Sequence, residues 1–209
     1  MKHDTSITIR SAVLLALALT SGAAAAGYNQ ATAALRMAMR ANWDAHVLWT
    51  REYIVSVAAG IPDTELVAER LLKVQDGLGD LVRPYYGADA ADQLSGQFKQ
   101  HVRLGVAIVN AAQAGDTALR TSLTWKWHTN ADSIADFLAT VNPHWTDRGL
   151  LTLLKDYLRL TIAEMTDRLG YDYAASITDF DRIYTQAMKL SDALTAGIVK
   201  QFPAKFESP

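Results

Sequence analysis

The stretch 39–57, MRANWDAHVLWTREYIVSV, repeats large side chains at the spacing of an α-helix. Residues three or four positions apart lie on one side of a helix, so this spacing predicts a helix with one inward-facing stripe. His46 lies at the centre of the stripe, and its neighbours there are Met39, Trp43, Thr50, Tyr53 and Val57. The stretch therefore predicts a core helix that carries a histidine.

A second histidine lies in the same kind of position. His101 is the centre of a stripe formed by Leu94, Phe98, Gly105, Ile108 and Ala112. A side chain that titrates near neutral pH is uncommon in a core and needs a partner there. That partner is a metal ion, a bound ligand or another polar side chain, and the spacing alone leaves all three open.

The rest of the chain also predicts helices, separated by proline, glycine and capping residues. Gly60-Ile61-Pro62 and Arg83-Pro84 mark two of the breaks. The predicted N-caps are Asp63, Asp116, Thr146 and Asp172. The predicted helices cover about residues 30–59, 63–83, 89–115, 116–142, 146–169 and 172–202. Short connections make neighbouring helices antiparallel, so we expect an all-α fold: an antiparallel bundle of about six helices around a four-helix core.

The first 26 residues have the features of a signal peptide. Lys2 and Arg10 are basic, 12–19 is a short apolar run, and 23–26 offers small residues for cleavage near Gly27. The apolar run is shorter than the roughly 20 residues that span a bilayer, so no stable membrane anchor is expected. We expect a periplasmic or secreted protein whose residues 27–209 form a single helical-bundle domain.

Composition excludes several classes of function. The net charge of −2 shows no basic excess, so nucleic acid is not an expected partner. The absence of cysteine excludes disulfides, thiolate metal sites and covalent attachment of haem through C-x-x-C-H. No G-x-S-x-G motif occurs, and no catalytic residues are predicted.

Seven polar residues are predicted to face the core. His46, His101 and Glu164 form a candidate metal site, because two histidines and a glutamate are an accepted ligand set for zinc. Arg168 is expected to neutralise Glu164 within its helix. The candidate ligand-binding residues are Thr50, Tyr157, Thr161 and Tyr184.

The metal prediction has limits in the sequence itself. Bundle di-iron sites use Glu-x-x-His, whereas Trp43 and Phe98 precede the two histidines at that spacing. A divalent transition metal is therefore the expected cofactor, if any, and haem held by His46 and His101 is less favoured. Such a metal should be released as pH falls through about 6, where an ordinary imidazole protonates.

A series of short fragments resembles a family of bacterial helical-bundle proteins that has no established activity. The resemblance covers nearly all of residues 27–209 and implies a secreted or intracellular bundle. The ordered fragments are Trp49-Thr50-Arg51, Ile61-Pro62-Asp63, Pro84-Tyr85-Tyr86-Gly87, Asn130-Ala131-Asp132, Phe137-Leu138, Asn142-Pro143, Leu160-Thr161 with Glu164, and Gly197-Ile198-Val199-Lys200-Gln201-Phe202-Pro203.

The resemblance also bears on the candidate site. It implies histidines at the positions of His46 and His101, and often further histidines on the last two helices. This chain departs at those further positions, which weakens the metal prediction. The residues found there are Lys155, Tyr157, Tyr184, Gln186 and Lys189.

The sequence thus predicts an exported helical bundle that binds a small ligand or a metal ion through inward-facing polar residues. The alternative is a non-catalytic structural or interaction protein of the cell envelope, whose polar core residues only fix the packing of the helices.

Overall fold

A computed structural model describes residues 21–207, with the side chains of 30–146 and 149–207. The described part is about 90% helical and contains no strand, which confirms the all-α bundle. The predicted signal peptide lies outside the described residues, except for 21–26 at the start of the first helix. The helices are α1 Ser21–Ala59, α2 Thr64–Gln113, α3 Thr117–Val141, α4 Asp147–Leu169 and α5 Tyr173–Gln201, followed by the short 3-10 helix Pro203–Lys205.

The predicted number of six helices is wrong, because α2 covers both the second and the third predicted helix. Its backbone leaves helical geometry at Gly87, with φ 83° and ψ 178°. Residues 20 positions apart in a straight helix would be separated by about 30 Å. The Ser95 hydroxyl nevertheless donates a hydrogen bond of 3.0 Å to the Gln75 carbonyl. The two halves of α2 therefore fold back on each other at the predicted break.

Two of the four predicted helix caps are present, whereas Asp63 and Thr146 precede their helices without a side-chain cap hydrogen bond. The Asp116 carboxylate accepts a hydrogen bond of 2.9 Å from the Leu119 amide, and the Asp172 carboxylate accepts one of 3.0 Å from the Ala175 amide. Each bond satisfies a main-chain donor that has no partner within its helix. These caps begin α3 and α5 where the sequence predicts.

Neighbouring helices run antiparallel. At the middle of α1, Arg36 and Arg40 both bind Asp192 in the second half of α5, with N···O distances between 2.6 and 2.9 Å. Near its end, Arg51 reaches Ser176 near the start of α5. The helix α1 also packs against α2 and α4, so its inward stripe lies at the centre of the molecule.

One end of the bundle is closed by an aromatic cluster. Tyr85 stacks on Phe206 after the last helix, and Tyr86 packs against Trp145 between α3 and α4. The Tyr86 hydroxyl donates to Gln201 at 2.9 Å and accepts from Asn142 at 2.8 Å. The fragments that contain Tyr85-Tyr86, Asn142 and Gln201 thus contact one another in this cluster.

None of the described helices is both long enough and apolar enough to cross a bilayer.

Candidate ligand-binding site

His46 on α1 and His101 on α2 are both buried and line one cavity of about 40 Å³ in the core. One water molecule needs about 10–15 Å³ of such space, so the cavity has room for about three water-sized atoms. Its wall is mostly apolar and includes Ile54, Val102 and Ile108. The polar side chains in the wall are Thr50, Tyr53, Tyr157 and Thr161, together with the two histidines.

The ring of His46 is held by Gln75, a buried residue in the first half of α2. The Gln75 amide nitrogen lies 3.0 Å from His46 Nδ1 and donates a second hydrogen bond of 3.0 Å to the Leu71 carbonyl. The Leu71 carbonyl can only accept, which fixes the orientation of the amide. No other described residue bonds to the second ring nitrogen of His46, Nε2.

The ring of His101 is held from the opposite side by α3. His101 Nδ1 lies 2.8 Å from the side-chain oxygen of Asn130, whose nitrogen donates to the Gln97 carbonyl at 3.4 Å. The Trp127 ring packs on the imidazole at 4.9 Å, and its nitrogen donates to the His101 carbonyl at 3.0 Å. Within the described residues, His101 Nε2 also has no protein partner.

Both imidazoles are neutral throughout the physiological pH range. Burial, followed by repulsion from His101, lowers the pKa of His46 from 6.5 to about 3. Burial also lowers the pKa of His101 to about 4, although its hydrogen bond to Asn130 acts in the opposite direction. Proton competition for a metal held by these two rings would therefore begin at a lower pH than the value of about 6 expected for ordinary imidazoles.

Tyr157 on α4 contributes an enclosed hydroxyl to the same cavity. Its ring lies 5.8 Å from the His46 ring. Burial raises the pKa of the phenol, while the nearby Thr50 and Thr161 hydroxyls act in the opposite direction. Neither threonine forms a hydrogen bond with it; they donate to the His46 and Tyr157 carbonyls at 2.7 and 2.9 Å. The Tyr157 hydroxyl is therefore buried without a partner among the described residues.

Glu164 is buried as predicted, but it does not line the cavity with the histidines. Its carboxylate binds Arg51 of α1 at 2.5 Å. The expected partner Arg168 lies over the Tyr173 ring at 4.8 Å, and its charge adds to that of Arg51 in favouring the ionised form of Glu164. Burial raises the pKa of Glu164 to about 7, and Arg51 opposes this shift by favouring the ionised form.

Tyr184 does not face the core, so its predicted orientation is wrong. The Tyr184 side chain is 39% exposed, whereas that of the preceding residue, Ile183, is buried. One position along a helix turns a side chain by about 100°, which is enough to move it from the core to the surface. The other three predicted ligand-binding residues, Thr50, Tyr157 and Thr161, do line the cavity.

The described residues contain no group of three or more histidine or acidic side chains placed to hold a metal ion. Haem and other large ligands also do not fit a cavity of about 40 Å³, because pockets for such ligands measure roughly 300–1,000 Å³.

Sequence reasoning missed the residues that hold the site together. Gln75 lies on the apolar face of α2 with Leu71, Val74 and Leu78, and this placement could have identified it. The partners of Asn130 and Arg51 lie on other helices, and the sequence contains no signal for those pairings.

Comparison with known proteins adds no assignment: no protein-family model, curated protein or solved structure matches this chain.

Proposed function

We propose that this protein is an exported helical bundle that binds a small ligand in the core cavity between His46 and His101. One observation carries the proposal: two imidazoles and one phenol line the same cavity with unused hydrogen-bonding atoms. A buried polar group without a partner costs about 1–3 kcal/mol, and a bound ligand removes that cost. At this cavity the Tyr157 hydroxyl is such a group, and the two imidazoles of α1 and α2 line the same space beside it.

A metal ion is the less favoured ligand. The cavity wall contains no carboxylate to balance a cation, since Glu164 is paired with Arg51. An unbalanced charge in an apolar cavity is strongly unfavourable. Zinc, copper and nickel are still suitable probes, because both imidazoles remain neutral and can in principle ligate them.

Thermal unfolding with added probes tests this function. Zinc, copper, nickel and ethanol are each added to the mature protein, because a ligand that binds only the folded state raises the melting temperature. We expect at least one probe to raise it in the wild type and to have no effect on the His46→Ala, His101→Ala double variant.

A pair of glycine variants serves as a control that preserves the histidines. Gly105 lines the cavity, and a methyl group there would lie 3.5 Å from Trp127, in ordinary contact. Gly96, on the same helix, has open space around it. Gly105→Ala should weaken the response to the probe, whereas Gly96→Ala should retain it. If no probe changes the wild-type melting temperature, the proposed function is wrong.

The second candidate is a structural or interaction protein of the cell envelope. It is favoured by the partner that each imidazole already has, Gln75 or Asn130, and by the small size of the cavity. In that case the cavity holds only water, and the network fixes how α1, α2 and α3 pack.

A further inference from the structure

The two imidazoles are held in opposite tautomers by their neighbours. The Gln75 nitrogen can only donate, so His46 Nδ1 accepts and the ring proton of His46 is on Nε2. The Asn130 oxygen can only accept, so His101 carries its proton on Nδ1 and leaves Nε2 bare. The cavity is therefore lined by one imidazole that donates and one that accepts.

We infer that the ligand of this cavity is a small uncharged molecule with a hydroxyl group, which accepts from His46 Nε2 and donates to His101 Nε2. This inference rests on the proposed function and specifies its ligand class. The Tyr157 hydroxyl, buried without a partner in the same cavity, supplies a further hydrogen-bonding group for the ligand. Ile54, Val102 and Ile108 supply an apolar wall for its carbon atoms.

The charge of the cavity supports the same class. No aspartate, glutamate, lysine or arginine is among the described residues that line it. A cation or an anion would be buried there without a counter-charge. A metal bound at His46 Nε2 would also move the ring proton to Nδ1, which would then donate to Gln75. The Gln75 amide would have to turn over to accept it, and its oxygen would then face the oxygen of the Leu71 carbonyl.

The size of the cavity limits the ligand to about three non-hydrogen atoms. Ethanol has this size and carries both a donor and an acceptor. The upper limit on binding energy per atom means that its dissociation constant is about 0.5 mM or weaker. Three probes of the same size act as controls: acetonitrile only accepts, ethylammonium is a cation and formate is an anion.

Nuclear magnetic resonance of protein with ¹⁵N-labelled histidine tests the inference directly, because ring nitrogen shifts report the tautomer. We expect the proton of His46 on Nε2 and that of His101 on Nδ1. Ethanol should shift both Nε2 signals in a saturable way, while acetonitrile, ethylammonium, formate and zinc leave them unchanged.

Two variants separate the effect of the His46 tautomer from the effect of adding a carboxylate beside a histidine. In Gln75→Glu, studied at pH 8 where the new carboxylate is ionised, the side chain only accepts, so His46 moves its proton to Nδ1 and ethanol binding weakens by roughly tenfold as one hydrogen bond is lost. The carboxylate also faces the Leu71 carbonyl, so this variant should be less stable than the wild type. The same variant should gain zinc binding, because both Nε2 atoms are then bare and a carboxylate supports the ligating ring. Asn130→Asp makes the same chemical change at His101 without altering its tautomer, and should still bind ethanol.

The outcomes separate the inference from the function on which it rests. Three outcomes would overturn the inference of an uncharged hydroxyl ligand but not the proposal that the cavity binds a ligand. They are identical tautomers for the two histidines, zinc binding by the wild type, and acetonitrile binding as tight as that of ethanol. No response to any probe, zinc included, would overturn both.

Discussion

Trp145 and Gly197 show how one residue can determine the fit of a large side chain. Trp145 is buried and its ring nitrogen donates to the Leu194 carbonyl at 3.2 Å. A Cβ atom at Gly197 would overlap that ring. The absence of a side chain at Gly197 therefore allows the tryptophan to lie against α5.

Replacing this glycine should destabilise the protein. We expect Gly197→Ala to lower the free energy of unfolding by about 1–3 kcal/mol, the range for overpacked cores. Gly96→Ala is the matched control, because its surroundings are open and alanine favours a helix by up to about 1 kcal/mol. Urea denaturation of both variants tests this, and a stabilised Gly197→Ala would show that Trp145 can move aside without loss.

The two core histidines should make stability depend on pH. Between about pH 4 and 6.5 the unfolded chain binds protons that buried His46 and His101 do not, so the free energy of unfolding decreases as pH falls through this window. Each histidine contributes a slope of about 1.4 kcal/mol per pH unit. Glu164, with its pKa raised from 4.5 to about 7, opposes this trend between those two values.

Comparing the wild type with His101→Gln isolates the histidine contribution. Urea denaturation between pH 4.5 and 6.5 should give a mean slope about 1 kcal/mol per pH unit smaller for the variant. Equal slopes would mean that His101 is protonated in the folded protein.

At the scale of the helices, Arg51 connects α1 to both α4 and α5. Its guanidinium binds Glu164 at 2.5 Å, donates to the Ser176 carbonyl at 3.3 Å and lies 4.7 Å above the Phe180 ring. Glu164 is only 1% exposed, so the loss of Arg51 leaves a buried carboxylate without a counter-charge.

We therefore expect Arg51→Met to lower the free energy of unfolding by about 3–5 kcal/mol at pH 8. The loss should be smaller at pH 5.5, because Glu164 is then protonated and needs no counter-charge. Arg36→Met is the control: it breaks an exposed ion pair, and Arg40 still binds Asp192, so its cost should stay under about 1 kcal/mol. Equal losses at both pH values would contradict the raised pKa of Glu164.

Local signals predicted the helices better than they predicted the contacts between them. Asp116 and Asp172 cap helices within three residues of themselves, so the sequence contains all the information needed. Arg51 and Glu164 are 113 residues apart, and their pairing depends on how α1 and α4 pack. The same holds for the site: periodicity predicted that His46 and His101 are buried, but not that Gln75 and Asn130 hold them.

At the scale of the whole molecule, Phe202 and Phe206 after α5 pack into the aromatic cluster that closes one end of the bundle. Phe206 is buried and stacks on Tyr85, whose ring also contacts Phe202. Phe206→Ala should lower the free energy of unfolding by about 3–5 kcal/mol, the usual cost of removing a buried phenylalanine. Ile177→Ala, at a position 55% exposed, should cost under about 0.5 kcal/mol. Urea denaturation that shows similar losses for the two variants would mean that the chain end contributes little.

Export also concerns the whole molecule and stays a prediction from the sequence. The basic leader, short apolar run and small residues predict a mature protein that begins within a few residues of Gly27. Intact-mass measurement of protein recovered from the periplasm or medium tests this. A mass that retains residues 1–26 would contradict it.

A crystal structure of the mature protein soaked in ethanol tests the central claim, binding in the cavity between the two histidines, most directly. We expect density for one ethanol molecule, with its oxygen within hydrogen-bonding distance of both His46 Nε2 and His101 Nε2 and its carbon atoms against Ile54 and Val102. Density for ordered water alone, or a cavity closed by direct contact between the two rings, would contradict the claim.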